Sequence, residues 1–242
     1  MVQKTHIWTL LILVILFTSC RNKKNERTTL QVRYSGALSN IMRGSIEETV
    51  VLDSLVDKDN LYALGAIENL RGEIQIFDGK ATNSYVQDSM VRISSSFSKG
   101  AALLVYTQVE DWEEFTLSSS VKSKTELEIE IAALAKEYGI DSEKPFPFLI
   151  EGSISTLIWH VIDWKDGDIV HTHKKHQESG LNGIIENEAV EVLGFYSTKH
   201  KAVFTHHSTF MHLHFKTKDG SIAGHLDDLV LGEEMVLKLP KQ

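Results

Sequence analysis

The residues with the clearest chemical potential are two histidines near the C-terminal end of the chain. His212 and His214 alternate with apolar residues, so both imidazoles point to one face of a strand. The dipeptide Asp219-Gly220 follows, and it is the strongest short sequence signal for a two-residue hairpin turn. Such a turn places His225 directly opposite His214, with β-carbons about 4.5–5.5 Å apart. The spacing therefore predicts that three imidazoles converge on one patch.

Three converging imidazoles predict a metal centre. Neutral imidazoles that leave one coordination position open are the ligand set of many catalytic zinc sites. We therefore interpret His212, His214 and His225 as ligands of Zn²⁺. The same register pairs Asp227 with His212, from where its carboxylate could orient a ligand ring. The alternative is a surface of half-buried histidines that binds no metal, and a slipped register would favour it.

A second group of histidines lies earlier in the chain and consists of His160, His171, His173 and His176. Asp166-Gly167 is another candidate hairpin turn, which would place His160 opposite His173. This group could bind a second metal, although such a tract is more often a solvated strand end. The neighbours His206-His207 would put one ring on each face of a strand, so at most one of them would reach the site.

The composition is that of a globular protein with a full core. The chain has 242 residues, of which 42% are hydrophobic and 24% charged, enough for one domain or two small packed ones. The net charge of −8 argues against nucleic-acid binding, because phosphate contacts need a concentrated basic face. A single cysteine excludes a disulfide framework within the chain and a zinc site built from several thiolates.

The N-terminus is typical of an exported protein. Lys4 precedes an apolar run from Ile7 to Phe17, about half of the roughly 20 residues that a membrane-spanning helix needs. Thr18-Ser19 and then Cys20 follow, and the pattern resembles a bacterial lipoprotein box. We predict a signal peptide over residues 1–19, a lipid on Cys20 as the only membrane contact, and a flexible tether over 20–28, in the bacterial cell envelope. The alternatives are an ordinary secretory signal with a chance cysteine, or an uncleaved anchor.

The elements that must position these residues are one clear helix and many strands. A helix over Ser123–Tyr138 is predicted from apolar residues on one face and from the capping box of Ser123 with Glu126. Pro145-Phe146-Pro147 cannot continue a helix, so we place a boundary there, between residues 29–148 and 149–242. A helix packed on mixed or antiparallel sheets is an α+β fold. The predicted strands are Leu61–Ile67, Gly72–Phe77, Ala101–Val109, Leu149–Trp164, Ala189–Tyr196, Ala202–Thr205, Phe210–Thr217 and Ile222–Leu229.

Three blocks of sequence now resemble the alpha-acetolactate decarboxylase family, in order and over nearly all of residues 31–229. The blocks are Leu64–Glu73 with Phe77-Asp78-Gly79, then Pro145-Phe146-Pro147 with Ile150–Ser153, and then Gly194-Phe195-Tyr196, His212–Phe215 and Gly224–Asp227. The resemblance implies a zinc-dependent lyase that converts 2-acetolactate to acetoin and carbon dioxide. It also implies two similar sheet-containing halves packed with helices, a homodimer, the same three zinc ligands, and a pocket glutamate at Glu73.

The sequence departs from the family pattern at two positions. The family carries an arginine after the Ile-Glu-Gly-Ser motif, suited to binding a carboxylate, and that position is His160 here. A protonated His160, aided by His173, could bind a carboxylate in its place. The family also carries a C-terminal tail with a glutamate that reaches the zinc, and no such tail is expected here. Glu233 or Glu234 could replace that glutamate. These departures leave two alternatives open: a metal-dependent enzyme acting on another small oxo or hydroxy acid, and a non-catalytic metal-binding lipoprotein.

Overall fold

The computed structural model describes residues 30–242, which contain two antiparallel sheets and few helices. The predicted signal peptide, Cys20 and the predicted tether lie outside the described residues. The strands are β1 (Arg33–Ser35), β2 (Val50–Val51), β3 (Leu61–Ile67), β4 (Glu73–Phe77), β5 (Lys80–Ala81), β6 (Asn83–Gln87), β7 (Met90–Ser94), β8 (Gly100–Gln108), β9 (Trp112–Thr116), β10 (Phe146–Val161), β11 (Leu181–Tyr196), β12 (Met211–Thr217), β13 (Ala223–Val230) and β14 (Val236–Pro240). The helices are α1 (Leu38–Ile41), α2 (Lys124–Glu137) and α3 (His173–Glu178).

The predicted α+β class is confirmed, with sheet as the dominant element. The first sheet runs β1-β8-β3-β4-β6-β7, with β2 paired to β8 and β5 paired to β4. The second sheet runs β11-β12-β13-β10-β14-β9. The two sheets therefore divide the chain between Gln108 and Trp112, whereas the sequence placed a boundary at 148/149. Among the described helices, none is long and apolar enough to cross a bilayer.

Four strands of the second sheet form a closed ring. The strand β10 pairs along one edge with β11 and along the other with β13 and β14, while β12 pairs with both β11 and β13. The side chains that point into this ring are apolar and buried, including Phe148, Ile150 and Phe215. A closed ring leaves these strands no free edge there, which fixes the position of each strand against its neighbours.

The predicted hairpin register is confirmed at the position that matters most. His214 pairs with His225 in the β12–β13 ladder. Beyond this pair β13 leaves β12 and continues its pairing with β10, where His225 faces His160. The predicted pairing of Asp227 with His212 is therefore wrong, because the hairpin opens at His214.

The second predicted hairpin is also wrong. His160 pairs with Asn182 of β11 rather than with His173. His173 instead begins the helix α3, where the Thr172 hydroxyl caps the N-terminus by accepting a hydrogen bond from the Lys175 amide. A capped helical turn satisfies these backbone groups locally, and β11 pairs with β10 along its full length. The predicted strand Ala202–Thr205 is likewise a turn, with an isolated bridge from Lys201 to Thr205.

The helix α2 forms as predicted and begins beside the end of β13 in the second sheet. Ser123 accepts a hydrogen bond from the Glu126 amide, and the Glu126 carboxylate accepts one from the Ser123 amide, which completes the capping box. Leu127 and Ile131 are fully buried, whereas Tyr138 is 46% exposed and lies off the buried face. Ser123 also bridges to Val230, so the start of α2 is held against the end of β13.

We expect Ser123→Ala to lower the free energy of unfolding by about 1 kcal/mol, because it removes the cap of α2. Urea unfolding followed by circular dichroism measures this change. Ser120→Ala is the matched control, because the Ser120 hydroxyl contacts only Ser118 on the surface. An equal loss of stability in both variants would contradict a specific role of the cap.

Candidate metal centre

The three predicted ligands meet in the structure. His212 and His214 project from β12 and His225 from β13, and each offers a ring nitrogen within 4.8 Å of the others. The Nε2 atoms of His212 and His214 lie 3.2 Å apart. In a tetrahedral zinc site with Zn–N bonds of about 2.0–2.1 Å, two nitrogen ligands are about 3.3 Å apart. The spacing of these two atoms therefore fits a shared metal ion.

The chemistry of the donor set fits a metal as well. Burial lowers the pKa of His212 and His214 well below the usual range and lowers the pKa of His225 to about 4. All three rings are therefore neutral near pH 7, and a neutral imidazole is the form that donates a lone pair to a metal. The group could hold a transition-metal ion.

Gln75 of β4 orients one of these rings, and sequence reasoning missed it. With the amide oxygen facing the second sheet, it accepts hydrogen bonds from His214 Nδ1 and from the Gly224 amide, both at 3.2 Å. The amide nitrogen then donates to the Thr82 carbonyl at 2.7 Å. This arrangement keeps the proton of His214 on Nδ1 and leaves Nε2 free to bind a metal. The available signal was a pair of polar residues, Glu73 and Gln75, on one face of a buried strand.

Asp227 supports the centre from a different position than predicted. Its Oδ2 atom accepts a hydrogen bond of 2.8 Å from His160 Nδ1, and its Oδ1 atom lies 3.3 Å from His225 Nδ1. Gln177 Nε2 also donates to Oδ1 at 2.7 Å. Although burial opposes ionisation, the contacts with His160 and His225 hold the pKa of Asp227 well below its usual range. Asp227 is therefore a carboxylate that orients both histidines.

Glu73 enters the site from β4 of the first sheet. Its carboxyl oxygens lie 3.7 Å from His160 Nε2 and 3.9 Å from His214 Nε2. Burial raises the pKa of Glu73 to about 7, although His160 and a hydrogen bond from the Ile162 amide lower it in part. At neutral pH this carboxyl therefore exists in both protonation states, which suits a group that transfers a proton.

His160 lies between two carboxyl groups. Burial alone would lower its pKa, but the hydrogen bond to Asp227 and the charge of Glu73 outweigh it and raise the pKa above its ordinary value. The ring lies 4.7 Å from the His225 ring. The side chains of Asp227, His160 and Glu73 thus lie next to one another in a polar row that runs from β13 through β10 to β4.

The remaining histidines do not form a second centre of this kind. Among the described residues, the groups with donor atoms close enough to hold a metal are the trio above and a set of His160, His225 and Asp227. His171 stacks on Trp164 and contacts His176 through ring nitrogens 3.0 Å apart. The neighbours His206-His207 lie outside the strands with ring centroids 3.9 Å apart, so the predicted placement of one ring on each face of a strand is wrong, although only His206 lines the cavity.

A cavity of about 600 Å³ opens onto the candidate metal centre. It is lined by two residues of the trio, His212 and His225, and by Glu73, His160, Asp227, His173 and Lys124. A volume of this size suits a small-molecule substrate. Glu233 pairs with Lys122 on the surface, and neither Glu233 nor Glu234 lines the cavity.

Comparison with known proteins agrees with this geometry. The sequence profile described as "Alpha-acetolactate decarboxylase" matches residues 33–241. The chain belongs to the alpha-acetolactate decarboxylase family. Membership in this family points to a carboxy-lyase acting on a small molecule. None of the curated proteins matches the chain.

Solved structures share the fold of the family. Alpha-acetolactate decarboxylase from Bacillus subtilis strain 168 superposes with a TM-score of 0.69 at 15% identity, over 88% of this chain and 86% of that one. Acetolactate decarboxylase from Bacillus subtilis subspecies spizizenii gives a TM-score of 0.70 at 15% identity, with the same coverage. A Staphylococcus aureus protein of unknown function, similar to alpha-acetolactate decarboxylase, gives 0.66 at 14% identity, over 87% and 85% of the two chains.

We expect His225→Ala to abolish tight metal binding. Equilibrium dialysis against Zn²⁺, used as a probe, should give about one ion per chain for the unchanged protein and a small fraction of that for the variant. His225 is the least buried of the trio, so its removal disturbs packing least. His207→Ala is the control, because this exposed ring lies outside the trio. Unchanged zinc binding in His225→Ala would show that the three rings do not form the site.

Proposed function

We propose that this family member decarboxylates 2-acetolactate to acetoin and carbon dioxide, with Zn²⁺ as its metal. The observation that carries the proposal is the three neutral imidazoles beside a buried carboxyl group with a pKa near 7, around one small cavity. Acetolactate is a 2-hydroxy-3-oxo acid, and its two oxygens form a pair suited to chelation. Bound Zn²⁺ would supply Lewis-acid stabilisation of the negative charge that develops on these oxygens.

The reaction needs a proton at one carbon. When carbon dioxide leaves, the electron pair of the broken bond stays on carbon 2 of the substrate and delocalises toward the oxo group. Acetoin forms when carbon 2 accepts a proton. Glu73 is the group proposed to deliver it, because its carboxyl is buried, lines the cavity and has a pKa raised to about 7.

The other polar side chains hold the site in a fixed arrangement. Gln75 and Asp227 are proposed to keep the rings of His214 and His225 in orientation, since each lies beside the Nδ1 atom of one of these rings. His160 contacts Asp227 on one side and Glu73 on the other, and is proposed to position Glu73. A site organised in this way requires no movement of polar groups as charge develops.

The place of action is also part of the proposal. An N-terminal signal and lipidated Cys20 would tether the enzyme in the bacterial cell envelope, and a homodimer is the expected assembly. The proposed chemistry suits that location, because it uses a metal and protein side chains and needs no nucleotide cofactor from the cytoplasm.

We expect the purified, zinc-loaded full chain in detergent to convert 2-acetolactate to equal amounts of acetoin and carbon dioxide. A colorimetric acetoin assay together with trapping of carbon dioxide measures both products. His225→Ala serves as the metal-deficient control. Stoichiometric zinc binding without acetoin formation would overturn the proposed reaction, and a screen of other small oxo and hydroxy acids would then follow.

We expect Glu73→Gln to lower kcat by about 10²–10⁴-fold, since an amide of the same shape cannot deliver the proton. The zinc content should stay near that of the unchanged protein, because Glu73 is outside the histidine trio. Glu234→Gln is the matched control, as this side chain is exposed and outside the cavity. A kcat within a factor of about three of the unchanged enzyme would exclude Glu73 as the proton donor.

A further inference from the structure

One lysine side chain, that of Lys124, lines the cavity. It is the first residue of α2, and its Nζ atom donates a hydrogen bond of 2.7 Å to the main-chain carbonyl of Asp227. Among the described residues that line the cavity, it is the only lysine or arginine. The hydrogen bond ties the ammonium group to the residue that orients His160 and His225.

The charge of Lys124 has no partner of opposite sign at contact distance. Within the described part of the chain, no carboxylate oxygen lies within 4 Å of its Nζ atom, and the Asp227 carbonyl is its one hydrogen-bond acceptor. The neighbouring Lys122 differs, since its Nζ atom contacts Glu233 at 2.7 Å. Partial burial of an unpaired ammonium group is unfavourable, so an anion that enters the cavity would be stabilised beside it.

The electrostatic surroundings of Lys124 support this view. Burial lowers its pKa, while the more distant carboxylates of Asp228, Asp227 and Glu128 act in the opposite direction. Its positive charge in turn lowers the pKa of His212 and of His225. The positive charge of Lys124 therefore lies close enough to influence two of the predicted metal ligands.

His160 is less available for an anion than Lys124. Each of its ring nitrogens already faces a carboxyl group, Asp227 at 2.8 Å and Glu73 at 3.7 Å. The charge of a protonated His160 is thus compensated within the protein. Two of the three N–H groups of Lys124 have no acceptor among the described residues.

We infer that Lys124 binds the carboxylate of the substrate and selects for anionic 2-hydroxy acids. The inference rests on the proposed function and adds the residue that recognises the group to be lost. A contact that holds the carboxylate to a similar extent in the bound substrate and in the transition state contributes uniform binding, so its loss weakens substrate binding without slowing the chemical step. Lys124 should therefore affect KM more than kcat.

The test compares two ligands that differ in one group. The probes are 2,3-dihydroxy-2-methylbutanoate, which lacks the oxo group and cannot decarboxylate, and 2-methylbutane-2,3-diol, which also lacks the carboxylate. Calorimetric titration of the zinc-loaded full chain in detergent gives a Kd for each. We expect the acid to bind about ten- to hundredfold more tightly than the diol, and Lys124→Met to remove most of this difference. Lys124→Arg should retain part of it, and Lys122→Met should leave it unchanged.

In steady-state kinetics with 2-acetolactate, we expect Lys124→Met to raise KM by about ten- to hundredfold and to change kcat by less than about threefold. Thermal unfolding and zinc content verify that each variant is folded and loaded. If Lys124→Met does not fold, Lys124→Gln replaces it in both measurements.

Two results would overturn the inference. One is an unchanged preference for the acid in Lys124→Met, with or without an equal loss of affinity for both probes, and the other is a wild-type protein that binds the acid no more tightly than the diol. Failure of the proposed function has a different signature. Wild-type protein would then form no acetoin, while the preference for the acid would still depend on the charge at position 124.

Discussion

The arrangement of the site depends on one cross-strand pair, His214 opposite His225, at the point where the β12–β13 hairpin opens. Between this pair and the turn at Asp219-Gly220 the two strands are hydrogen-bonded to each other, and from His225 onward β13 pairs with β10. Side chains alternate between the two faces of a strand, so a slip of one residue in either strand would turn the imidazoles of that strand to the opposite face. The closed ring of β10, β11, β12 and β13 prevents such a slip, because each strand is held on both edges. Where the two strands separate, the rings of His212 and His225 line the cavity.

Electrostatics divides the site into two parts. The three ligand rings are buried and neutral, which keeps their lone pairs available. Next to them lies the polar row of Asp227, His160 and Glu73, in which the histidine separates two acidic groups. Two adjacent acidic groups in a buried site oppose each other's ionisation, and a cation between them relieves that effect. The different environments hold Asp227 ionised and leave Glu73 poised for proton transfer.

Local rules predicted those features that depend on a few neighbouring residues. The capping box of α2 and the register of His214 with His225 follow from short-range signals, and both are confirmed. The predictions that failed required knowledge of a distant strand. The hairpin rule pairs Asp227 with His212 because it continues the ladder past the point where the hairpin opens, and it pairs His173 with His160 because it takes no account of β11, the actual partner of β10. Gln75 was missed for the same reason, since contact between the two sheets is not encoded in local periodicity.

Gln75 and Glu73 belong to the first sheet, while every ligand of the trio belongs to the second. The centre therefore lies at the junction between the two halves of the chain and is joined to both. A metal ion bound there would be linked thermodynamically to the docking of the sheets to the extent that Gln75 and Glu73 favour its binding, because a ligand that binds the assembled form more tightly stabilises that form by mass action. The cohesion of the two halves would then vary with the free metal concentration around the protein, and removing the ion would loosen their contact as well as change the chemistry.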